Sequence, residues 1–522
     1  MAQQPSFENV TEHWTITKPA AHGRNGIVAC NHYRVAEIGA EVLRAGGNAV
    51  DAAVAVSFAI GVVEPWNSGL GACGYMQAFD ARRRTVTTVD FGTRAPQGVD
   101  PKDYALAGGV SPDGFGWPAV IEDRNIIGPY SAAVPTVVAG MGLAHRTFGT
   151  KPWADLLGPA VELARAGMMI DWYATLQLAA EAREMAPHAD LAAIYLPDGR
   201  VPSQGWGGPP PRLNLDPLAA TIQRIAEQGP EDFYTGTIAD SIDADCRRAG
   251  SPLRKADLAA FRPVLREPAI GTYRGARVHT APGMSAGPTL LDALSRLERA
   301  NLGKVPDAAA YLAYAEALYA AYKVRLATLG DTAHAPSSTT TYSVVDGHGN
   351  MAIVTQTLMS GFGSKVRLPG TGVILNNGMM WFDPVPGSPN CIVPGKRPLS
   401  NMAPTVVLRE DAADFGLGAL GGRRIFPAVF QLLSFIHDFG MDLEAAFHQP
   451  RIDVSGGPDV TVDPRLRGPV LDALAARHPV VVEMNGVMPI AYAEPNGVMQ
   501  AKDGRQWGAI HVPAPWSKAL AA

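Results

Sequence analysis

The chain has 522 residues, 47% of them hydrophobic and only 18% charged, with a formal net charge of −5. That balance excludes a disordered or fibrous chain, and with no basic run beyond Arg82-Arg83-Arg84 it makes nucleic acid and anionic membrane poor partners. Four scattered cysteines (Cys30, Cys73, Cys246, Cys391) argue against a disulfide framework or zinc knuckle. The absence of a signal-like start and of an apolar run longer than residues 52–63 predicts a soluble, cytoplasmic enzyme.

In chain order, residues 1–25 read as a loose lead-in. Apolar residues at helical spacing predict a helix over 35–45, stopped by Gly46-Gly47. Asn48 then caps a second helix over 49–63, apolar on almost every side and therefore buried. Strands are predicted over 75–80 and 85–91, and helices over 132–148 and 153–167. A mixed helical stretch follows to about residue 226, with a Pro/Gly-rich loop over 186–215. Further helices are predicted over 291–300 and 308–327. After Gly330 the texture turns to strand: 339–345, a turn over Asp346-Gly347-His348-Gly349-Asn350, then 351–358, 373–375, 405–408 and 414–417, with a helix over 424–439. Helices in the first two-thirds and strands opening the last third predict a layered α+β fold.

Several motifs compete for attention. Gly283-Met284-Ser285-Ala286-Gly287 matches a nucleophile elbow, which would make Ser285 an esterase serine, or it is a tight turn before a Pro-initiated helix. The glycine patterns Gly69-x-Gly71-x-x-Gly74 and Gly416-x-Gly418-x-x-Gly421 both lack a Rossmann context. The second nevertheless leaves Gly421-Gly422 at a helix start, able to receive an oxyanion or to serve close packing. The twelve histidines form no metal-binding pattern, so neither a metal nor a cofactor is expected. His348 reads as a solvated turn residue.

The segment opening Thr339-Thr340-Thr341 is the most informative. Three threonines at a strand start can reflect β-propensity alone. Here they are entered from Ala335-Pro336-Ser337-Ser338, small and polar like a cleavable linker. Reflection through His348 also brings Thr339 opposite Thr357 in a simple hairpin. Threonine is a weak nucleophile without a base. A freed N-terminal α-amine, with a pKa near 7.7–8.0, supplies one.

On these residues the chain resembles the γ-glutamyltransferase family of N-terminal-nucleophile hydrolases. The resemblance is carried by Gly46-Gly47-Asn48-Ala49-Val50-Asp51, Val63-Glu64-Pro65 and Ser68 to Gly74. Further support comes from Pro135-Thr136-Val137, Asp232-Phe233-Tyr234-Thr235-Gly236, Thr339 to Asp346, Leu375-Asn376-Asn377, Lys396-Arg397-Pro398-Leu399-Ser400 and Gly421-Gly422. The resemblance implies a four-layer αββα sandwich made as one precursor and cut at Ser338–Thr339, into a large subunit of residues 1–338 and a small one of 339–522. It assigns Thr339 as nucleophile and α-amine base, Thr357 as the hydroxyl that orients it, and Gly421 and Gly422 as the oxyanion hole.

The substrate pocket departs from the family pattern. Gly92 stands where γ-glutamyl enzymes carry an Arg for the α-carboxylate, with Arg94 two residues on as a partial substitute. Met359 replaces an Asn, Trp381 replaces the Asp that receives the α-amine, and Ser400-Asn401 replaces a serine pair. An ammonium and a carboxylate need charged, hydrogen-bonded partners, which Met and Trp do not provide. The expected function is therefore a threonine amidohydrolase or acyltransferase acting on a small-molecule amide that is not γ-glutamyl. The family's outliers include cephalosporin acylases, oxamate amidohydrolases and carbon–carbon bond hydrolases. A true γ-glutamyl hydrolase or transferase, a serine esterase using Ser285 and an unprocessed binding homologue remain alternatives. The expected partners are the substrate and the two subunits of one precursor, with a homo-oligomer of that heterodimer left open.

Overall fold

The computed structural model describes residues 14–111, 117–329, 338–488 and 490–522. Two seven-stranded antiparallel sheets face each other. One runs Lys518–Ala521, Gly26–Cys30, Ser338–Asp346, Met351–Met359, Cys73–Asp80, Thr85–Phe91, Val264–Arg266. The other runs Ala21–Gly23, Gln506–Ile510, Glu494–Gln500, Ala412–Leu420, Thr405–Arg409, Ala276–Thr280, Ala269–Tyr273.

The alternation of side chains along each strand decides the layering. Ile27, Ala29, Phe79, Val345, Met351 and Ile353 of the first sheet meet Val406, Leu408 and Val498 of the second in a core between the sheets. Their neighbours point the other way. Val28, Val344, Val354 and Val89 pack beneath the helices Tyr33–Arg44, Ala49–Val63 and Val137–Phe148. On the far side Val407, Phe415, Leu417 and Ala419 pack beneath Gly287–Leu297, Ala308–Leu329 and Ile425–His437. The result is the expected αββα sandwich.

Local chemistry explains the first elements. Asn48 accepts from the Val50 and Asp51 amides while Asp51 accepts from the Asn48 amide, closing a capping box on helix Ala49–Val63. Asp346 builds the hairpin turn: its carboxylate accepts from the His348 and Asn350 amides and from the amide of Ala49 at the helix start. One aspartate thus ties the central hairpin to the buried helix beneath it.

Some predicted elements are corrected. Residues 132–136 are not helical; helix Val137–Phe148 begins only after Pro135, which disfavours helical backbone in the residue before it. Residues 373–375 form an isolated bridge between Ile374 and Arg367, not a strand. The lead-in contributes the edge strand Ala21–Gly23. The loop over 186–215 holds the helix Ala189–Tyr195. Residues 330–337, including the linker before Ser338, lie outside the described residues, as do 1–13. Among the described residues no helix is long and apolar enough to cross a membrane.

The glycine motifs are packing devices. A Cβ on Gly416 would strike Ile353, and one on Gly418 would strike the Thr341 hydroxyl, so these two glycines let the sheets approach closely over the hairpin. A Cβ on Gly71 would run into the backbone carbonyl of Ile374, which has no side-chain freedom with which to yield. Gly71→Ala is therefore expected to cost about 1–3 kcal/mol, read as a lower midpoint in urea unfolding.

Candidate active site

The hairpin of Ser338–Asp346 and Met351–Met359 carries the site. Its register pairs Val345 with Met351 and Thr340 with Gln356, so the turn centres on His348, which is exposed. A register shift between Ser338 and Thr340 bulges the strand at Thr339. Thr339, Thr341 and Ser343 share the face turned toward the second sheet, as do Thr355 and Thr357. Thr339 is buried, and its hydroxyl donates to the Thr357 hydroxyl oxygen at 3.2 Å. The Thr357 oxygen also accepts from the Met359 amide at 2.7 Å. Met359 adopts φ +84°, a strained conformation for a side chain of this kind, where the strand ends. That kink turns its amide onto Thr357, so the hydroxyl facing Thr339 is fixed from behind.

Gly421 (φ +123°) and Gly422 (φ +62°) carry the chain from strand Ala412–Leu420 into helix Ile425–His437. Gly421 opens onto a cleft of about 430 Å³ whose walls include Trp66, Tyr173, Ser360, Arg424 and Glu494. One buried carboxyl, Glu494, lines this cleft, and a second, Glu64, lies within electrostatic reach of it. Burial pushes Glu64 up to about 8, opposed by the Asn67 hydrogen bond and reinforced by the charge of Glu494. Burial likewise pushes Glu494 up to about 7, opposed by Lys18 and Arg451. Both keep a proton in the folded state that the unfolded chain releases above about pH 4.5. Their stabilisation is complete below that pH and is lost as pH rises through 7 to 8. Burial lowers His32 to about 3 and His279 to about 4, so these histidines act in the opposite sense, only below about 6.5. The melting temperature is therefore expected to fall between pH 6.5 and pH 7.5, below the range in which Lys18, lowered to about 8 by burial, acts in the opposite sense, and Glu64→Gln to narrow that fall in thermal denaturation.

The residues expected at the substrate are only partly brought together. Met359 and Trp381 join one buried apolar cluster with Cys73, Tyr75, Trp117 and Met402. Ser400 and Asn401 are buried, and a side chain the sequence did not single out holds them: Arg325 donates to the Ser400 carbonyl at 3.0 Å and to Asn401 Oδ1 at 2.9 Å. Arg94 is exposed and lies beyond the end of strand Thr85–Phe91, so strand alternation does not aim it. Arg397 occupies the place beside Gly92 instead. It donates to both Asp90 carboxylate oxygens, at 2.8 and 2.5 Å, and to the Tyr75 hydroxyl at 3.3 Å. A carboxylate near the end of a predicted strand, Asp90, was the available sign that a cation must meet it. Asn376 and Asn377 stood in a quoted motif without a role. Asn376 ties Gly71 to Ala133, and Asn377 ties Ile126 to Ser360, fastening the loops around the cleft.

Ser285 is not an exposed nucleophile. It is fully buried, donates to the Ala281 carbonyl at 2.5 Å and accepts from the Gly287 amide at 3.0 Å, as a turn serine before a helix does.

Comparison with known proteins gives the family and agrees with the fold. The family model described as gamma-glutamyltranspeptidase matches residues 35–338 and 332–512. The chain belongs to the gamma-glutamyltranspeptidase family. It is accordingly an enzyme of the N-terminal-nucleophile hydrolase and acyltransferase class. Among relatives in this family it is 33% identical to an acylase ACY 1 proenzyme from Pseudomonas sp. (strain SE83), over 93% of both chains. It is 31% identical to a glutathione hydrolase proenzyme from Escherichia coli (strain K12), over 93% of this chain and 90% of the other. A solved cephalosporin acylase from Bacillus halodurans superposes with a TM-score of 0.85 at 25% identity, covering 99% of each chain.

Proposed function

We propose that the chain is a self-processing threonine amidohydrolase or acyltransferase whose acyl substrate is not γ-glutamyl. The Thr339–Thr357 hydroxyl contact at 3.2 Å, buried at the end of the central hairpin, carries this function. Cutting the Ser338–Thr339 bond divides the precursor into residues 1–338 and 339–522 and frees the α-amine of Thr339. That amine takes the proton from Thr339 Oγ1 as the oxygen adds to the amide carbonyl. Thr357 holds the attacking oxygen, itself held by the Met359 amide. The Gly421 and Gly422 backbone stabilises the oxyanion. The amine product leaves with the proton, and water or a second amine releases the acyl group from the threonine ester.

Trp381 and Met359 support the departure from γ-glutamyl substrates, since neither pairs with an ammonium. The likeness to a glutathione hydrolase supports γ-glutamyl transfer or hydrolysis as a second assignment. A panel of para-nitroanilides separates the two. The processed protein should release nitroaniline from simple acyl anilides faster than from γ-glutamyl anilide; the reverse order would establish the second assignment.

A further inference from the structure

We propose that Glu494 is a positioning residue for the reacting threonine: its carboxyl receives the α-amine that cutting the Ser338–Thr339 bond frees and aims that amine at Thr339 Oγ1. This rests on the threonine-hydrolase function proposed above and adds a residue to its site.

The two sheets set the position. Asn496 Oδ1 accepts from the Ser343 hydroxyl at 2.5 Å, and a Cβ on Gly418, the partner of Asn496, would strike the Thr341 hydroxyl. Side chains two residues apart share one face of a strand. One such step along each strand leads from Asn496 to Glu494, from Gly418 to Leu420 and from Thr341 to Thr339. Glu494 pairs with Leu420, the residue before Gly421. It therefore faces the end of the hairpin where Thr339 stands, beside the glycine pair, and it lines the same cleft. On the opposite face of the first sheet Glu64 lies beside the Thr340 hydroxyl, and the charges of the two carboxyls reach each other past the strand end.

Glu494 has no other occupation. It is 6% exposed, and its carboxyl makes no hydrogen bond to a described residue. The cations within its electrostatic reach are spent on carbonyls: Lys18 Nζ donates to those of Ala514 and Ser517, and Arg451 Nη2 to that of Ala493. Elsewhere on the cleft Lys365 is paired with Glu181 and Glu184, and Arg424 donates to the Ile490 carbonyl. Burial and the charges of Glu494 and Glu64 hold the Tyr173 hydroxyl well above its usual range, so it stays protonated. A buried carboxyl with no hydrogen bond is costly to the fold, and an ammonium beside it removes that cost.

The α-amine takes the proton from Thr339 Oγ1 and becomes an ammonium while the oxygen bonds to the carbonyl carbon. Ionised Glu494 balances that new charge. By accepting one N–H of the amine, it also leaves the lone pair directed at Oγ1. Burial by itself holds Glu494 up to about 7, and the ammonium draws it down again because opposite charges favour each other's ionised form.

The test compares the processed parent protein with Glu494→Gln, which keeps the shape, and Glu494→Asp, which keeps the charge. Cyanate carbamoylates only a neutral amine, so its rate at Thr339, followed against pH by the mass of the small chain's N-terminal peptide, reports the pKa of the α-amine. Glu494→Gln should lower that midpoint by about one pH unit, and Glu494→Asp should leave it near the parent value. On simple acyl anilides the acid limb of kcat/KM should move down with the amine in Glu494→Gln, while the plateau falls by about 10-fold, in kcat. A packing role would move neither midpoint. Thermal denaturation reports folding, and Glu494→Met, apolar and of similar length, gives the same readings should the glutamine variant not fold. An unchanged midpoint, or a folded variant that stays uncut, would overturn the proposal and leave threonine hydrolysis standing. A parent protein whose small chain does not begin at Thr339 would overturn both.

Discussion

Thr339→Ala is expected to remain a single chain of 522 residues on a denaturing gel, while the parent protein resolves into two, the smaller beginning at Thr339. Both effects have one source. Thr339 carries the hydroxyl that donates to Thr357 at the start of the hairpin, and the proposed base is the α-amine that cleavage before this residue creates. Without the hydroxyl no acyl-enzyme forms, and amidase activity should drop by about 10³-fold or more. Thr339 is buried, and alanine removes little volume, so the fold should tolerate the change. A parent protein that stays whole, together with an active Thr339→Ala variant, would overturn the assignment and return attention to a binding role or another nucleophile. Thr339→Ser keeps the oxygen and should keep both cleavage and part of the activity.

Thr357→Val should lower kcat by about 10²- to 10³-fold with little change in the fraction folded. Valine matches the threonine in shape, so packing against Cys73 on the neighbouring strand survives. What disappears is an oxygen with two duties: it faces the Thr339 hydroxyl at 3.2 Å and accepts the Met359 amide at 2.7 Å. The nucleophile then loses its fixed direction, and a buried amide at a strained residue loses its acceptor. Single-turnover kinetics on a saturating anilide check this, because a positioning defect appears in the acylation step. An unchanged acylation rate would remove Thr357 from the mechanism.

Much of this was readable before any coordinates. Asn48 and Asp51 are three apart, the spacing a capping box needs, and the helix they start is the one observed. The hairpin could be folded on paper about His348 because an antiparallel pair conserves the sum of paired positions, and that arithmetic brought Thr339 to Thr357. The bulge at Thr339 was not readable, since it depends on how the strand leaves its neighbours. Val373 to Leu375 reads as a strand by composition, yet only Ile374 finds a partner there; β-propensity describes a surface, and the surface was absent.

The pocket shows the same division more sharply. Residue types determined that this chain carries threonines in register across one hairpin and a glycine pair after a strand, and the family resemblance added the expectation of a pocket without its usual charged partners. By the family resemblance Gly92 stands where an arginine was expected, and the nearest arginine in sequence, Arg94, was the expected substitute. Tertiary structure decided otherwise. Arg397 lies 307 positions from Asp90 in the chain and reaches it from a different segment. Arg325, from a helix of the other outer layer, holds Ser400 and Asn401. Local propensity and short periodicities set which residues are helix or strand and which face they share, because those depend on neighbours within a few positions. Which charge fills a gap left by a glycine depends on what the two sheets and their loops bring to one point, and that is fixed only when the layers pack.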